Sequence, residues 1–555
     1  MRKTNLAFCF ILAISALFCG MDAAAQQPQR FTKADTLRGL LTPLRSCYDI
    51  NYYHLDIKIN IEEQSIAGSN EFTFTATQDF DRLQFDLFEN LEISKVVYRG
   101  AELHFTREFN AVFLTFPKQI KKGEKQSFKV FYAGKPVIAK RPPWDGGFIF
   151  SKDNSGNPWV SVACQGLGAS SWWPNKDHQS DEVDSMLISI SVPGQLREVS
   201  NGRLRSVIPA DEGYNQYNWF VASPINNYNI SLYIGKYAHW SDQYNGEKGK
   251  LSLDFWSLES DSAQARPHWE ADVKRMLRSF EYWFGPYPFY KDGYKLVQAP
   301  HLGMEHQSAV AYGNLFRQGY LGKDLSGSGW GLKFDFITIH ESGHEWFGNN
   351  ITSKDIADMW IHEAFTCYSE TLFTESEYGK DAGTAYVSGI RQNIMNDMPI
   401  IGPYHVNTEG SGDMYYKGAN MIHNIRQLIH NDEKFRAILR GLNQTFHHQT
   451  VTTHQIENYI AVQSGLNLNK VFDQYLRHKD LPVLEYDISK GRLSYRWRAD
   501  VRNFDMPVKV SLKPGRYDWI YPSSTWKAVP LASGISKNNF KADPNFYIGL
   551  EEKAR

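Results

Sequence analysis

Cysteine is scarce in this 555-residue chain: five in all, two of them (Cys9 and Cys19) within the first 25 residues. The other three, Cys47, Cys164 and Cys367, are too few and too widely spaced for a disulfide framework or a zinc knuckle. They leave room for one bridge at most, with buried thiols the equal alternative. Charge of one sign is lacking too. Sixty basic against 61 acidic residues leave a net −1, which removes any bulk electrostatic case for nucleic acid. Beyond residue 25 no apolar run approaches the ~20 residues of a membrane helix. Repeats and low-complexity tracts are absent, and charged stretches such as KKGEK (121–125) read as solvated turns.

The first 25 residues read as an export signal. Arg2 and Lys3 precede an apolar stretch (6–20), and AAA (23–25) forms a small-residue cleavage site before Gln26. Phe18 before Cys19 is bulky where a lipoprotein signal has a small residue, so simple cleavage is expected. The mature protein is then periplasmic or secreted, without a stable membrane anchor.

The rest is long enough for three or so domains with real cores. YHLDIKINI (53–61) alternates apolar and polar residues, and EFTFTA (71–76), LISISVP (187–193) and NISLYIGKY (229–237) continue that period of two. NG pairs at 201–202 and 245–246 mark turns. Residues 26–240 are therefore expected to form an antiparallel β domain. Helical periodicity dominates 241–480. Alternation returns in LPVLEYD (481–487), RLSYRWR (492–498) and PVKVSL (507–512), which predicts a short β-sandwich over 481–555. The fold class is multidomain α+β.

Inside the helical region lies TIHESGHEWFGNNITS (338–353). Leu332, Phe336, Ile339 and Phe347 recur at helical spacing, which predicts a helix over 331–348 capped by Gly348 and Asn349. His340 and His344 then lie one turn apart on one face, within reach of one ion, with Glu341 beside them as a candidate base. A chance H-E-x-x-H in such a chain has a probability of roughly 3%. A second helix, 358–379, carries Glu363, eighteen residues after His344. Requiring a glutamate at that one spacing lowers the chance to roughly 0.2%. Zinc held by His340, His344 and Glu363, one ion per chain, follows. Glu370, two turns beyond Glu363, could accept a hydrogen bond from the second nitrogen of a zinc histidine, though a helix-surface glutamate is as ordinary a reading.

This arrangement resembles the gluzincins of the aminopeptidase N family (peptidase family M1), which includes leukotriene hydrolase. HEWFGN (344–349) resembles the family's H-[QE]-W-[FW]-G-N. WIHEAFTCYSE (360–370) resembles W-L-N-E-G-F-x-x-Y-x-E, with His362 in place of asparagine and Ala364 in place of glycine. The resemblance implies a saddle-shaped N-terminal β domain and a thermolysin-like catalytic domain. It also implies that the large helical C-terminal domain of many relatives is missing.

Three further stretches take their meaning from it. HLGMEHQSAVAYG (301–313) resembles the exopeptidase signature Gly-x-Met-Glu-Asn, with Met304 and Glu305 in register and Leu302 and His306 as departures. Glu305 would hold the substrate's N-terminal amine, and His306 would alter the subsite. Gln165, in ACQGLGASSWWPNKDH (163–178), matches a glutamine that reaches the substrate N-terminus. DMYYKGANM (413–421) resembles Tyr-x-Lys-Gly, which selects Tyr415, with Lys417 and Gly418, as the catalytic tyrosine over its neighbour Tyr416. His423, His430, His447, His448 and His454 read as polar or core histidines.

The implied activity is aminopeptidase: zinc-activated water attacks the first peptide bond, Glu341 moves the proton and Tyr415 stabilises the oxyanion. Its partners are peptides with a free N-terminus. The same zinc could serve an endopeptidase or an epoxide hydrolase. A non-catalytic binding protein on this scaffold would have no chemical need for Glu341 and Tyr415.

Overall fold

The computed structural model describes residues 30–553, so the expected export signal lies outside the described residues. Among these residues no helix is long and apolar enough to cross a membrane. The three cysteines Cys47, Cys164 and Cys367 are free and buried.

The N-terminal part is built on an eight-stranded sheet. Its central strand β1 (Tyr48–Asn60) pairs antiparallel with β2 (Ser65–Ala76) and parallel with β3 (Ser185–Pro193). That parallel pair departs from the wholly antiparallel domain expected, because a long excursion returns the chain to β1 in the same direction. Period-two alternation buries Leu55, Ile57 and Ile59 completely or nearly so. The expected strand 229–237 is shorter, with only Tyr233–Gly235 extended before the chain bends. Asn201 Oδ1 accepts from the backbone N–H of Ser231 (2.8 Å), and Asn227–Asn229 forms a single 3₁₀ turn. Side-chain partners there replace the ladder a strand would use.

A five-stranded sheet joins this part to the helices. It runs β4 (Tyr237–Gly246), β5 (Gly249–Leu258), β6 (Tyr294–Gln298), β8 (Val310–Tyr312) and, at the edge, β7 (Gly303–Met304). Strand β4 runs across the domain boundary expected at residue 240. Alternate residues serve two cores. Leu296, Val310 and Tyr312 pack with the catalytic helices, whereas Val297, Ala311 and Met304 pack with the β domain. The edge strand is therefore gripped from both faces.

Four helices frame the site: α1 (Ser262–Phe284), α2 (Phe336–Gly343), α3 (Trp360–Tyr378) and α4 (Tyr416–Ile429). After them come two small sheets. One contains Val483–Ser489, Arg492–Arg498, Lys527–Pro530 and Gly549–Glu552; the other contains Val508–Lys513 and Arg516–Ile520. Their apolar residues, among them Leu484, Leu493, Trp497 and Val508, belong to one continuous core with the catalytic helices. The strands after residue 481 thus share that core and do not close one of their own.

Candidate active site

Helix α2 begins five residues later than its periodicity suggests. Asp335 is the N-cap: its Oδ1 accepts from the Thr338 N–H (3.0 Å), while its Oδ2 lies 2.6 Å from both the Tyr312 hydroxyl and His268 Nε2. The cap ties the start of the helix to strand β8 and helix α1. The helix ends at Gly343, so His344 stands at its C-cap. Gly348 lies at φ 129° in the turn that follows. A Cβ there would sit 3.1 Å from His344 Nδ1 and 3.2 Å from Glu305 Oε1, so glycine lets the chain fold over both side chains.

His340, His344 and Glu363 converge. The two Nε2 atoms are 3.3 Å apart, and Glu363 Oε2 lies 3.7 Å from His340 Nε2 and 3.4 Å from His344 Nε2. Each histidine's other nitrogen is already engaged. His340 Nδ1 donates to Glu370 Oε1 (2.7 Å), which also receives order through the Tyr386 hydroxyl on Oε2 (2.6 Å), and His344 Nδ1 donates to the Phe347 carbonyl (3.0 Å). That fixes the tautomer with both Nε2 lone pairs pointing inward. Glu363 Oε2 is buried with no hydrogen-bond partner. Two imidazole nitrogens and an orphaned carboxylate oxygen at these separations suit a tetrahedral ion, whose donors stand about 3.3–3.4 Å apart for bonds of ~2.0–2.1 Å.

The electrostatics agree. Burial opposes ionisation of Glu363, but His344 and His340 hold its pKa well below the ordinary range. Burial likewise opposes protonation of His344, yet Glu305 and Glu363 push its pKa up to about 9, and Glu363 and Glu370 raise that of His340. The carboxylates thus favour positive charge at these nitrogens, supplied by protons or by a metal ion that displaces them. Burial raises Glu341 to about 7, with His340 and His344 pulling the other way. Gly303 lets the edge strand approach this base closely, since a Cβ there would lie 2.5 Å from Glu341 Oε1.

Above the triad is a cavity of about 360 Å³ that brings together His340, Glu341, His344, Glu363, Glu370, Met304, Glu305, Gln165 and Tyr415. These nine residues, all expected from the sequence, therefore line one cleft. Glu305 is 2% exposed. Its Oε1 accepts from Gln165 Nε2 (3.0 Å) and the Tyr228 hydroxyl (2.5 Å), and its Oε2 lies 3.3 Å from His344 Nε2. Against burial, His344 and His362 hold it below the usual carboxylate range. The loop around it is pinned from the turn that follows helix α2: Asn349 Nδ2 donates to the Glu305 carbonyl (2.9 Å), and Glu345 Oε1 accepts from the Ser308 N–H (2.7 Å).

The tyrosines separate. Tyr415 stacks on the His340 ring (5.9 Å between centroids, 25°), and its hydroxyl feels Glu363; Tyr416 is influenced instead by Cys367 and Glu370. Lys417 points away, donating to the carbonyls of His478 (3.1 Å) and Lys479 (2.6 Å). Gly418 packs against Ala364, where a Cβ would approach the alanine methyl to 2.6 Å.

His306 is corrected. It is fully buried, its Nδ1 lies 2.6 Å from the Tyr233 hydroxyl, and it does not line the cleft, whereas Leu302 does. His362, not singled out beyond its departure from asparagine, accepts from the Ser353 N–H at Nε2 (2.8 Å), leaving Nδ1–H 3.6 Å from Glu305 Oε1. Tyr228, Glu409 and Trp144 also escaped the sequence reading, and Asn349 entered it only as a helix cap and within the HEWFGN match. None sits at a ligand spacing; only the fold brings them here.

Comparison with known proteins follows the same lines. Residues 270–475 match the peptidase family M1 domain. The chain is 22% identical to leukotriene A-4 hydrolase of Xenopus laevis over 74% of its own length and 68% of the relative's. It is 24% identical to aminopeptidase N of Canis lupus familiaris over 61% of its length, but spans only 37% of that protein. The fold is similar to that of an M1 zinc metallopeptidase from Deinococcus radiodurans, at a TM-score of 0.67 and 21% identity, covering 78% of this chain and 94% of the other. A crystal form of that enzyme bound to a Tyr-Ser-Ala substrate gives a TM-score of 0.66. The matched domain holds the whole convergent triad, so the part of the chain that could hold a metal is the part that is similar to the peptidase family M1 domain.

Proposed function

We propose that this protein is a zinc aminopeptidase that removes single residues from the free N-terminus of peptides, working after export from the cytoplasm. The observation that carries the reading is Glu305. It is a buried carboxylate at the end of the edge strand, beside the metal donors, held by Gln165 and Tyr228 and open to the cleft.

His340, His344 and Glu363 would hold one zinc ion, with Glu370 orienting His340. When bound, the ion supplies Lewis acidity and lowers the pKa of a coordinated water. Glu341 is the base: it faces the cleft beside the triad, takes the proton of the attacking water and returns it to the leaving amine. Tyr415 donates its hydroxyl to the oxygen that gains charge as the carbonyl becomes tetrahedral. The edge strand β7 offers backbone groups along which an extended peptide can lie. Glu305 and Gln165 close one end of that track. A peptide's α-amine, with a pKa of ~7.7–8.0, arrives largely as a cation and pairs with Glu305, which places the first peptide bond at Glu341.

Time-resolved mass spectrometry of a defined decapeptide tests this. The expected products are a ladder shortened from the N-terminus one residue at a time. Early internal fragments would transfer the protein to an endopeptidase reading, with the metal chemistry intact.

A further inference from the structure

The cleft carries more negative charge than the reaction uses. Five carboxylates line it (Glu305, Glu341, Glu363, Glu370 and Glu409), and among the described residues no lysine or arginine does. Four have work in the proposed reaction: Glu341 moves protons, Glu363 binds the ion, Glu370 orients His340 and Glu305 pairs with the amine. Glu409 has none. Among the described residues it makes no hydrogen bond or ion pair, and burial, reinforced by the like charges of Glu363 and Glu305, pushes its carboxyl up to about 7, so that a cationic partner would favour its ionised form.

Its position is fixed. The segment 394–411 that bears it is fastened to the catalytic part, where the His405 N–H donates to Asp355 Oδ2 (3.0 Å), and to the β domain, where Asn407 Nδ2 donates to the Gly166 carbonyl (3.3 Å). Asn396, His405 and Asn407 all take positive φ within it. A Cβ on Gly166 would lie 3.7 Å from Glu409 Oε1, so this carboxylate stands next to the residue that follows Gln165, at the amine end of the cleft.

A second unassigned residue of the same cleft is Trp144. It lines the cavity yet is 69% exposed, the most exposed large hydrophobic side chain among the described residues. Its loop is ordered by Asp145, which accepts from the N–H groups of Lys140 (2.8 Å) and Arg141 (2.8 Å), and Gly146 packs against Leu167. An exposed indole lining an acidic cleft that also holds an unpartnered carboxylate suits a long side chain with an apolar stem and a cationic tip.

We propose that Glu409 and Trp144 form the pocket for the side chain of the substrate's first residue and select lysine or arginine there. This rests on the aminopeptidase reading. With the α-amine on Glu305, the side chain of the same residue passes Gln165 and Gly166, its methylenes lying along the indole and its ammonium or guanidinium reaching Glu409.

The test is kcat/KM for two matched anilides, lysine and norleucine, which share a stem and differ in charge. Wild type should favour lysine by roughly 10- to 100-fold, the scale of one charge-assisted hydrogen bond in a partly desolvated site. Glu409→Gln should bring that ratio toward one, Glu409→Lys should carry it below one, and Trp144→Leu should lower it by about 2- to 5-fold. A wild-type ratio near one overturns the proposal. So does a ratio that Glu409→Gln leaves unchanged while both rates fall together, because Glu409 would then serve the amine or the loop. If neither anilide is cleaved and blocked peptides are cut internally, the aminopeptidase reading fails and the pocket falls with it; cleavage of both anilides without preference refutes the pocket alone.

Discussion

The two ends of the cleft are built differently. At the metal end each group is constrained by another: His340 by Glu370, Glu370 by Tyr386, His344 by the Phe347 carbonyl, and Tyr415 by its stack on His340. At the amine end Glu305 is held from one side by Gln165 and Tyr228, while Glu409 and the indole of Trp144 are left without partners. The difference teaches where each kind of work is done. Chemistry needs donors pre-aimed before substrate arrives, whereas recognition needs groups whose best partner is the substrate itself.

Breaking the metal end should have the largest effects. His344→Ala removes a ligand and should abolish both zinc retention, read by metal analysis of the purified protein, and turnover. Glu341→Gln should keep the metal and still cost roughly 10²–10⁴ in kcat, since it removes the base and no ligand. A variant that kept its metal and near wild-type turnover would refute the role of Glu341.

Tyr415→Phe comes next, with a fall in kcat of roughly 10²–10³ and little change in KM. Tyr416→Phe should do much less, because it is the Tyr415 ring that stacks on His340. The reverse order would mean that the ring stacked on His340 is a packing residue.

Glu370→Gln probes the support behind the metal. It leaves the three donors in place but weakens the hold on His340, so zinc affinity measured by chelator competition should drop by about 10- to 100-fold. An unchanged affinity would make the 2.7 Å contact incidental.

The pH profile gives the smallest and most graded effect. Glu341 acts as a base only when deprotonated, so kcat/KM should rise with pH through an acid limb. In the metal-free site burial pushes the Glu341 carboxyl up to about 7; a bound dication should lower it, so the acid limb of the active enzyme should lie below that. An alkaline limb should follow near the substrate amine's ~7.7–8.0, where the cation that pairs with Glu305 is lost. A substrate with a permanently charged N-terminus should lack that alkaline limb.

The same contrast governs what the amino-acid sequence reveals. The triad is legible because both helices impose fixed spacing: His340 and His344 one turn apart, and Glu370 two turns beyond Glu363. The start of helix α2 is not, because its cap, Asp335, is set by Tyr312 and His268 from other elements. The strands of the β domain are legible from alternation, but the parallel partnership of β1 with β3 depends on a long-range return that no local pattern encodes. The amine end is the least legible. Trp144, Gln165, Glu305 and Glu409 come from four separate segments, and no local spacing marks Glu409 or Trp144. Even His306, one residue from Glu305, turns into the β-domain core and not toward substrate.

The central claim is that a free amine on Glu305 decides where the cut falls. The direct test compares one peptide with its N-acetylated twin, on wild type and on Glu305→Ala. Acetylation removes the positive charge and leaves a buried carboxylate without its partner. The free peptide should be cleaved at its first bond by wild type and the acetylated one should be essentially inert. Glu305→Ala should lose most activity on the free peptide and shrink the gap between the two. Efficient cleavage of the acetylated peptide by wild type, or a Glu305→Ala enzyme that still discriminates as strongly, would contradict the account.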